Sequence, residues 1–200
     1  WSNGTNWNQS NTAPVGGDNL RFLGNNRVVN TNDLTAGTSF GTITFDNNGG
    51  SGETGQYNLS GSNIVLTSQI TTTTPNNGKT LTDTVNFDVE LSGGNRTVHT
   101  AYGDNATAGN REYHHVVING DISDGGNGYQ LIKTGLADLT LAGSNDIAGV
   151  DFEGHLRLSN NDALGTANIM RGGAGYYPTG LILDDGLTIS DPLTVADDEY

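Results

Sequence analysis

The sequence predicts an all-β protein, and three observations carry that prediction. Apolar residues recur at alternate positions in short runs, as in Leu139/Leu141 and Leu156/Leu158, the period of two that turns one strand face into a core and the other into water. Glycine makes up 30 of the 200 residues, about twice the usual ~7%. It gathers between those runs with Asn, Asp and Ser, residues that accept positive φ or bond their own backbone and so let the chain turn sharply. No apolar series at i, i+3, i+4, i+7 runs beyond one turn, so no helix is expected except a short piece near Asn161 to Gly165.

The clearest succession lies between Tyr129 and Thr166. Strands are expected at Gln130 to Lys133, Asp138 to Ala142 and Gly154 to Ser159, separated by Thr134-Gly135, Gly143-Ser144-Asn145-Asp146 and Asn160-Asn161-Asp162. This order, Leu-Ile-Lys-Thr-Gly, then Leu-Thr-Leu-Ala-Gly-Ser-Asn, a Gly, and Leu-x-Leu-Ser-Asn-x-x-Ala-Leu-Gly, resembles the autotransporter-associated β-strand repeat of bacterial surface and secreted proteins. The resemblance implies a parallel β-helix, or β-solenoid, exported from a Gram-negative type of cell. It is close over 129–166 and looser over Val116 to Gly125 and Gly180 to Ala196. The family's strand after the Gly-Ser-Asn turn is rich in Thr or Val. Here it reads Ile147-Ala148-Gly149-Val150-Asp151-Phe152.

The chain then divides into a polar segment at 1–19 and a solenoid at 20–200. Trp1 and Trp7 are the large apolar residues of the first segment, which Pro14 and Gly16-Gly17 close. They suit a loop folded over the first rung as an N-terminal polar cap; their other use would be as a platform for sugar rings. The resemblance supports the cap. Strands are expected next at Leu20 to Leu23, Arg27 to Val29, Ser39 to Phe45, Tyr57 to Leu59, Asn63 to Thr67 and Ile70 to Thr74, with turns at Asn47 to Gly55 and Pro75 to Gly78. Thr80 to Leu91 places Leu81, Val85, Phe87, Val89 and Leu91 on one parity. Asp83 shares that parity and is read as a bend. Arg96 to Thr100 and Tyr113 to Asn119 flank the longest insertion, a polar loop over Ala101 to Glu112.

One corner motif recurs as Leu59-Ser-Gly-Ser-Asn63, Leu91-Ser-Gly-Gly-Asn95 and Leu141-Ala-Gly-Ser-Asn145, starting 32 and then 50 residues apart. Unequal rungs with loop insertions fit this better than a propeller or strict array. A thin solenoid core also tolerates the low hydrophobic content of 33%. At roughly 20 to 25 residues per coil, about eight to ten rungs and a rod of about 40 to 50 Å are expected.

Lys and Arg number 8 against 22 Asp and Glu, a net charge of −14. Such a surface repels phosphate backbones and anionic membranes, so nucleic-acid and membrane-surface binding are not expected. No apolar run approaches the ~20 residues of a membrane span. The absence of cysteine removes disulfides and thiolate metal sites. The chain starts at Trp1 rather than Met, which reads as a processed form or an excerpt.

No catalytic, cofactor-binding or metal residue is assigned, and the chain is not expected to be an enzyme. His114 and His115 are adjacent and point to opposite faces of a strand, so a surface or spacing role is expected for them, as for His99 and His155. The acidic turn Asp121-Ile-Ser-Asp124-Gly-Gly-Asn127-Gly128 offers oxygens to an adventitious calcium ion, without the nonapeptide repeat of calcium β-rolls or the EF-hand spacing. Asp184-Asp185 and Asp197-Asp198-Glu199 are similar acidic pairs. The bases Lys79, Lys133, Arg21, Arg27, Arg96, Arg111, Arg157 and Arg171 are scattered, and no nucleophile motif, phosphate loop or zinc helix is present. Asn-x-Ser/Thr triplets at Asn3, Asn8, Asn58, Asn95 and Asn105 carry little weight in so Asn- and Thr-rich a chain.

The function expected first is that of a structural protein of the bacterial cell exterior. Leu187 to Tyr200 breaks off just after a strand pattern with no polar capping helix or loop, so either the protein continues beyond Tyr200 or this edge pairs with another copy, and head-to-tail pairing of chain ends into a homo-oligomer or fibre is expected first. The alternative is an adhesive passenger docking surface glycans through Tyr102, Tyr113, Tyr129, Tyr176 or Tyr177. A polysaccharide lyase or hydrolase on a β-helix stands third.

Overall fold

The computed structural model describes residues 1–7, 12–25, 28–46, 55–75, 79–105, 110–165, 170–172 and 179–189. The chain is an all-β parallel solenoid. Coil 1 carries β1 (Leu20–Leu23), β2 (Val29–Asn32) and β3 (Thr38–Phe40); coil 2 carries β4 (Ile43–Asp46), β5 (Asn58–Gly61) and β6 (Ile64–Leu66). Coil 3 has β7 (Gln69–Thr72), β8 (Thr80–Val85) and β9 (Val89–Leu91). Coil 4 has β10 (Arg96–His99), β11 (Tyr102–Asn105), β12 (Asn110–Ile118) and β13 (Ile122–Ser123). Coil 5 holds β14 (Gln130–Thr134) and β15 (Leu139–Leu141), coil 6 β16 (Gly149–Phe152) and β17 (His155–Leu158), and coil 7 β18 (Met170–Gly172) and β19 (Gly180–Leu183).

Stacking the coils makes three faces. Sheet 1 runs β1-β4-β7-β10-β14-β16-β18, sheet 2 runs β2-β5-β8-β12-β15-β17-β19, and sheet 3 runs β3-β6-β9-β13. Among the described residues every ladder is parallel except the β11–β12 hairpin. Down sheet 1 the register partners are Leu20, Ile43, Ile70, Val98, Lys133, Phe152 and Gly172, so successive coils take 23, 27, 28, 35, 19 and 20 residues. The described residues therefore form seven coils, fewer than the eight to ten expected. The reason is the loop length at the corners of coils 2 to 4. Seven strands at ~4.8 Å span about 30 Å, a shorter rod than the expected one.

The same register explains the irregular repeat. Leu59 lies within β5 and Leu141 ends β15, both in sheet 2, in coils 2 and 5, whereas Leu91 ends β9 in sheet 3. The three copies are thus not one corner, because every corner of a coil demands the same turn chemistry. Ser39 to Phe45 breaks at Gly41-Thr42 into β3 and β4, and Thr80 to Leu91 breaks at Asn86 to Asp88 rather than at Asp83. The strand expected at Arg27 to Val29 instead starts at Val29. The helical piece expected near Asn161 to Gly165 is two overlapping turns, closed by Ala163 N–H to Asn160 O and Gly165 N–H to Asp162 O.

Inward side chains stack in columns, for example Leu59, Val85, Ile118, Leu141 and Leu158 down sheet 2, and Phe40, Leu66 and Leu91 down sheet 3. Trp1 covers this core at coil 1, its ring centroid 5.7 Å from Phe22, 5.8 Å from Phe40 and 5.8 Å from Phe87. Trp7 meets it edge-on and donates its indole N–H to Trp1 O at 2.9 Å. Both rings pack against the core, Trp1 buried and Trp7 partly so.

Asparagine and aspartate hold one coil to the next. Asn145 accepts Ile122 N–H at Oδ1 (2.8 Å) and donates to Ala163 O (2.5 Å); Asp88 accepts Asp121 N–H, and Asp121 accepts Ser144 N–H. These side chains satisfy corner amides that have no ladder partner. Gly154, at φ +73, sits where a Cβ would press on the carbonyl oxygen of Gly135 one coil below, so the corner closes only on a glycine.

Candidate binding face

The chain holds four histidines, and the fold brings all four to one corner. It is the corner where sheet 1 passes into sheet 2 in coils 4, 5 and 6. His99 ends β10, His114 and His115 lie in β12, and His155 opens β17. None of this is visible as a motif, because His99, the adjacent pair His114-His115 and His155 are separated by 15 positions and then 40, and only coil lengths align them.

Inside the corner, His114 is fully buried, a correction to the surface or spacing role expected from sequence. It points inward from β12 while His115 points out, as adjacent strand residues must. Its Nδ1 faces Thr73 O at 2.8 Å. A carbonyl can only accept, so Nδ1 carries a hydrogen. Its Nε2 meets Asp83 Oδ2 at 2.5 Å, and Asp83 Oδ1 accepts Tyr57 N–H at 2.7 Å. Asp83 is therefore no bend: it stands mid-strand in β8, fully buried, with the inward parity that Leu81 and Val85 share. Burial pushes its carboxyl above the usual range, against the opposing pull of His114. Asp83 and His114 are both fully buried and satisfy each other's polar atoms deep in the core.

Lys133 is the second interior surprise. It occupies the sheet-1 column between Val98 and Phe152 and is 1% exposed. Its ammonium caps Gly135 O and, at 2.6 Å, Glu153 O. Burial pushes it down to about 8, Glu153 and Asp138 opposing. His99, which pairs in register with Thr134, has Nδ1 3.0 Å from Thr134 Oγ1. Burial and then the Lys133 charge lower its pKa.

Outside the corner, sheet 2 carries a row in register across three coils: His115, Asp138 and His155. Asp138 N–H donates to His115 Nδ1 at 2.8 Å, and His155 Nδ1 lies 3.2 Å from Asp138 Oδ1. Two residues earlier on β12, Tyr113 lies with its ring centroid 5.8 Å from that of His115 and the planes 12° apart. Tyr102, across the β11–β12 hairpin, is 5.3 Å from Tyr113. The expected polar loop over Ala101 to Glu112 is thus largely this hairpin.

The remaining sequence candidates fall elsewhere. Tyr129 packs against the core, while Tyr176, Tyr177 and the acidic run Asp197-Asp198-Glu199 lie outside the described residues. Asp124 is buried, with Oδ1 accepting Gly126 N–H and Oδ2 accepting Tyr129 N–H, so this carboxylate knits its own turn. Asp184 bonds Arg157 and Ser159. Among the described residues no three His, Asp or Glu side chains are placed to share a metal ion, and no helix is long and apolar enough to cross a membrane. No family model, curated protein or solved structure matches the chain.

Proposed function

We propose that the protein is a non-enzymatic structural β-solenoid of the bacterial cell exterior, whose rods join through their terminal coils. The observation that carries this reading is the placement of exposed apolar side chains. Among the described residues the large ones are Val15, Leu23, Val29 and Leu183; the first three belong to coil 1 or its lead-in and the last to β19 of coil 7. The flanks between are mostly Thr, Asn, Ser and charged residues, with the half-buried Tyr102 and Tyr113 on coil 4. A rod that is polar along its length and apolar at its ends favours end-on contact, and such heterologous contact propagates as an open fibre. Edge chemistry points the same way: among the described residues β1 is the first strand of sheet 1 and pairs with β4, and an edge strand is where a further strand adds. The resemblance of 129–166 to repeats of exported proteins supports the location.

The test is negative-stain microscopy of the purified protein together with its mass in solution, for the wild type and a Leu23→Lys/Val29→Lys variant. Filaments of uniform width, or mass rising with concentration, lost in the variant, are expected. Monomeric short rods at every concentration would overturn the reading.

A further inference from the structure

We propose that the outward face of sheet 2 around Tyr113 and His115 is a binding site for a neutral saccharide chain. It is independent of how the rods associate, because it lies on the flank of coils 3 to 6 rather than at either end.

The geometry starts with the rings. Tyr113 and His115 alternate outward on β12 with nearly parallel planes, and Tyr102 extends the aromatic surface across the hairpin. A pyranose presents a face of C–H groups that packs on such rings, while its hydroxyls need polar neighbours at the edge. Those neighbours are present. Thr80 and Thr82 of coil 3 pair in register with Tyr113 and His115, and Asp138 and His155 continue the row through coils 5 and 6.

Each of these groups has a defined role. His115 receives the Asp138 N–H at Nδ1, which places its own hydrogen on Nε2 as a donor. Asp138 Oδ1 is engaged by His155, and the part-exposed carboxylate brings an acceptor to the row. A donor and an acceptor side by side match the hydroxyls of a sugar. The platform is rigid because β12 is laddered to β8 on one side and β15 on the other, so ligand binding orders little that is not ordered already.

Charge selects the class. The net charge of −14 disfavours uronates and sulfated chains. Of the cations nearby, Arg157, on the same face, bonds Asp184 at 2.7 Å, Arg111 already has a partner, and Lys133 is buried; Lys79, exposed one residue before Thr80, lies in coil 3 rather than beside Asp138 of coil 5. A carboxylated or sulfated sugar would meet Asp138 without a compensating guanidinium. A neutral one would not.

The experiment is titration calorimetry of the full chain with cellohexaose, xylohexaose and hexagalacturonate, with circular dichroism on every variant. Binding of a neutral hexasaccharide at millimolar concentration or below is expected. Tyr113→Ala and His115→Gln should each weaken it by about tenfold, while Tyr113→Phe, which keeps the ring, and Thr71→Ala, on sheet 1, should leave it unchanged. Failure of both neutral probes to bind, preference for hexagalacturonate, or affinity surviving both Tyr113→Ala and His115→Gln would overturn the proposal.

Discussion

Lys133 offers the sharpest test of the interior. Its column neighbours are Val98 and Phe152, and its ammonium is held at the coil edge by two carbonyls. Burial lowers its pKa from 10.5 to about 8. An unfolded chain keeps the ordinary value, so between these two pH values the unfolded state binds more protons than the folded one. Stability contributed by this group therefore rises with pH. Below pH 8 the fold carries a buried charge; above it the amine is neutral at less cost. With those two values, raising the pH from about 7 to about 9.5 stabilises the fold by about 2 kcal/mol through this residue alone. Other groups also titrate in that range, so the quantity to measure is the difference between wild type and Lys133→Met. The variant fills the column without a charge and shifts its baseline equally at both pH values through the lost carbonyl bonds. Urea unfolding at each pH, with equal slopes, should show wild type gaining about 2 kcal/mol on the variant. Identical pH dependence of the two would refute the buried-charge account.

Two further outcomes follow from the same corner. Asp83→Leu and His114→Leu alone should each cost about 3 to 5 kcal/mol, because each strands a polar partner in the core, while the double substitution should recover most of the loss; a double-mutant cycle by urea unfolding checks this. Gly154→Ala should lower stability by about 2 kcal/mol or more, since it adds a Cβ against the Gly135 carbonyl at a positive φ, and a thermal melt against wild type measures it.

Local chemistry was legible and alignment across coils was not. The strands at Leu20, Gln130, Leu139 and His155 sit where alternation places them, to within a residue or two. Glycine and asparagine mark corners correctly, yet cannot say which corner: Leu59 and Leu91 carry the same motif on different faces. Coil length decides which residues become neighbours, and it varies from 19 to 35 residues through loops whose sequence sets no length. Hence Asp83 and His114, 31 positions apart, and His115, Asp138 and His155 could not be paired in advance. One signal was available. Asp83 shares the parity of Leu81 and Val85, and a carboxylate on an apolar parity announces a buried partner more strongly than a bend.

The acidic, asparagine-rich composition then has a use that needs no charged partner. A coil has three corners, and at each the chain leaves its ladder and exposes amides with no opposite carbonyl. Carboxylates and carboxamides fit there because their oxygens accept such an amide, and the carboxamide NH2 finds a carbonyl or a neighbouring Asn, as in Asn145 to Ala163 O. Asn19 receives Thr42 N–H, Asn95 receives Gln130 N–H, Asp88 and Asp121 receive the coil above, and Asn161 receives Thr188 N–H. Asn58, Asn86 and Asn119 go further, linking three coils side chain to side chain along the flank. An apolar core so narrow holds little area per coil, and hydrogen bonds of about 1 kcal/mol each at every corner supply what area does not. The same acceptors, repeated along a flank of threonine and asparagine, leave a neutral hydroxyl-rich ligand as the one such a surface repels least.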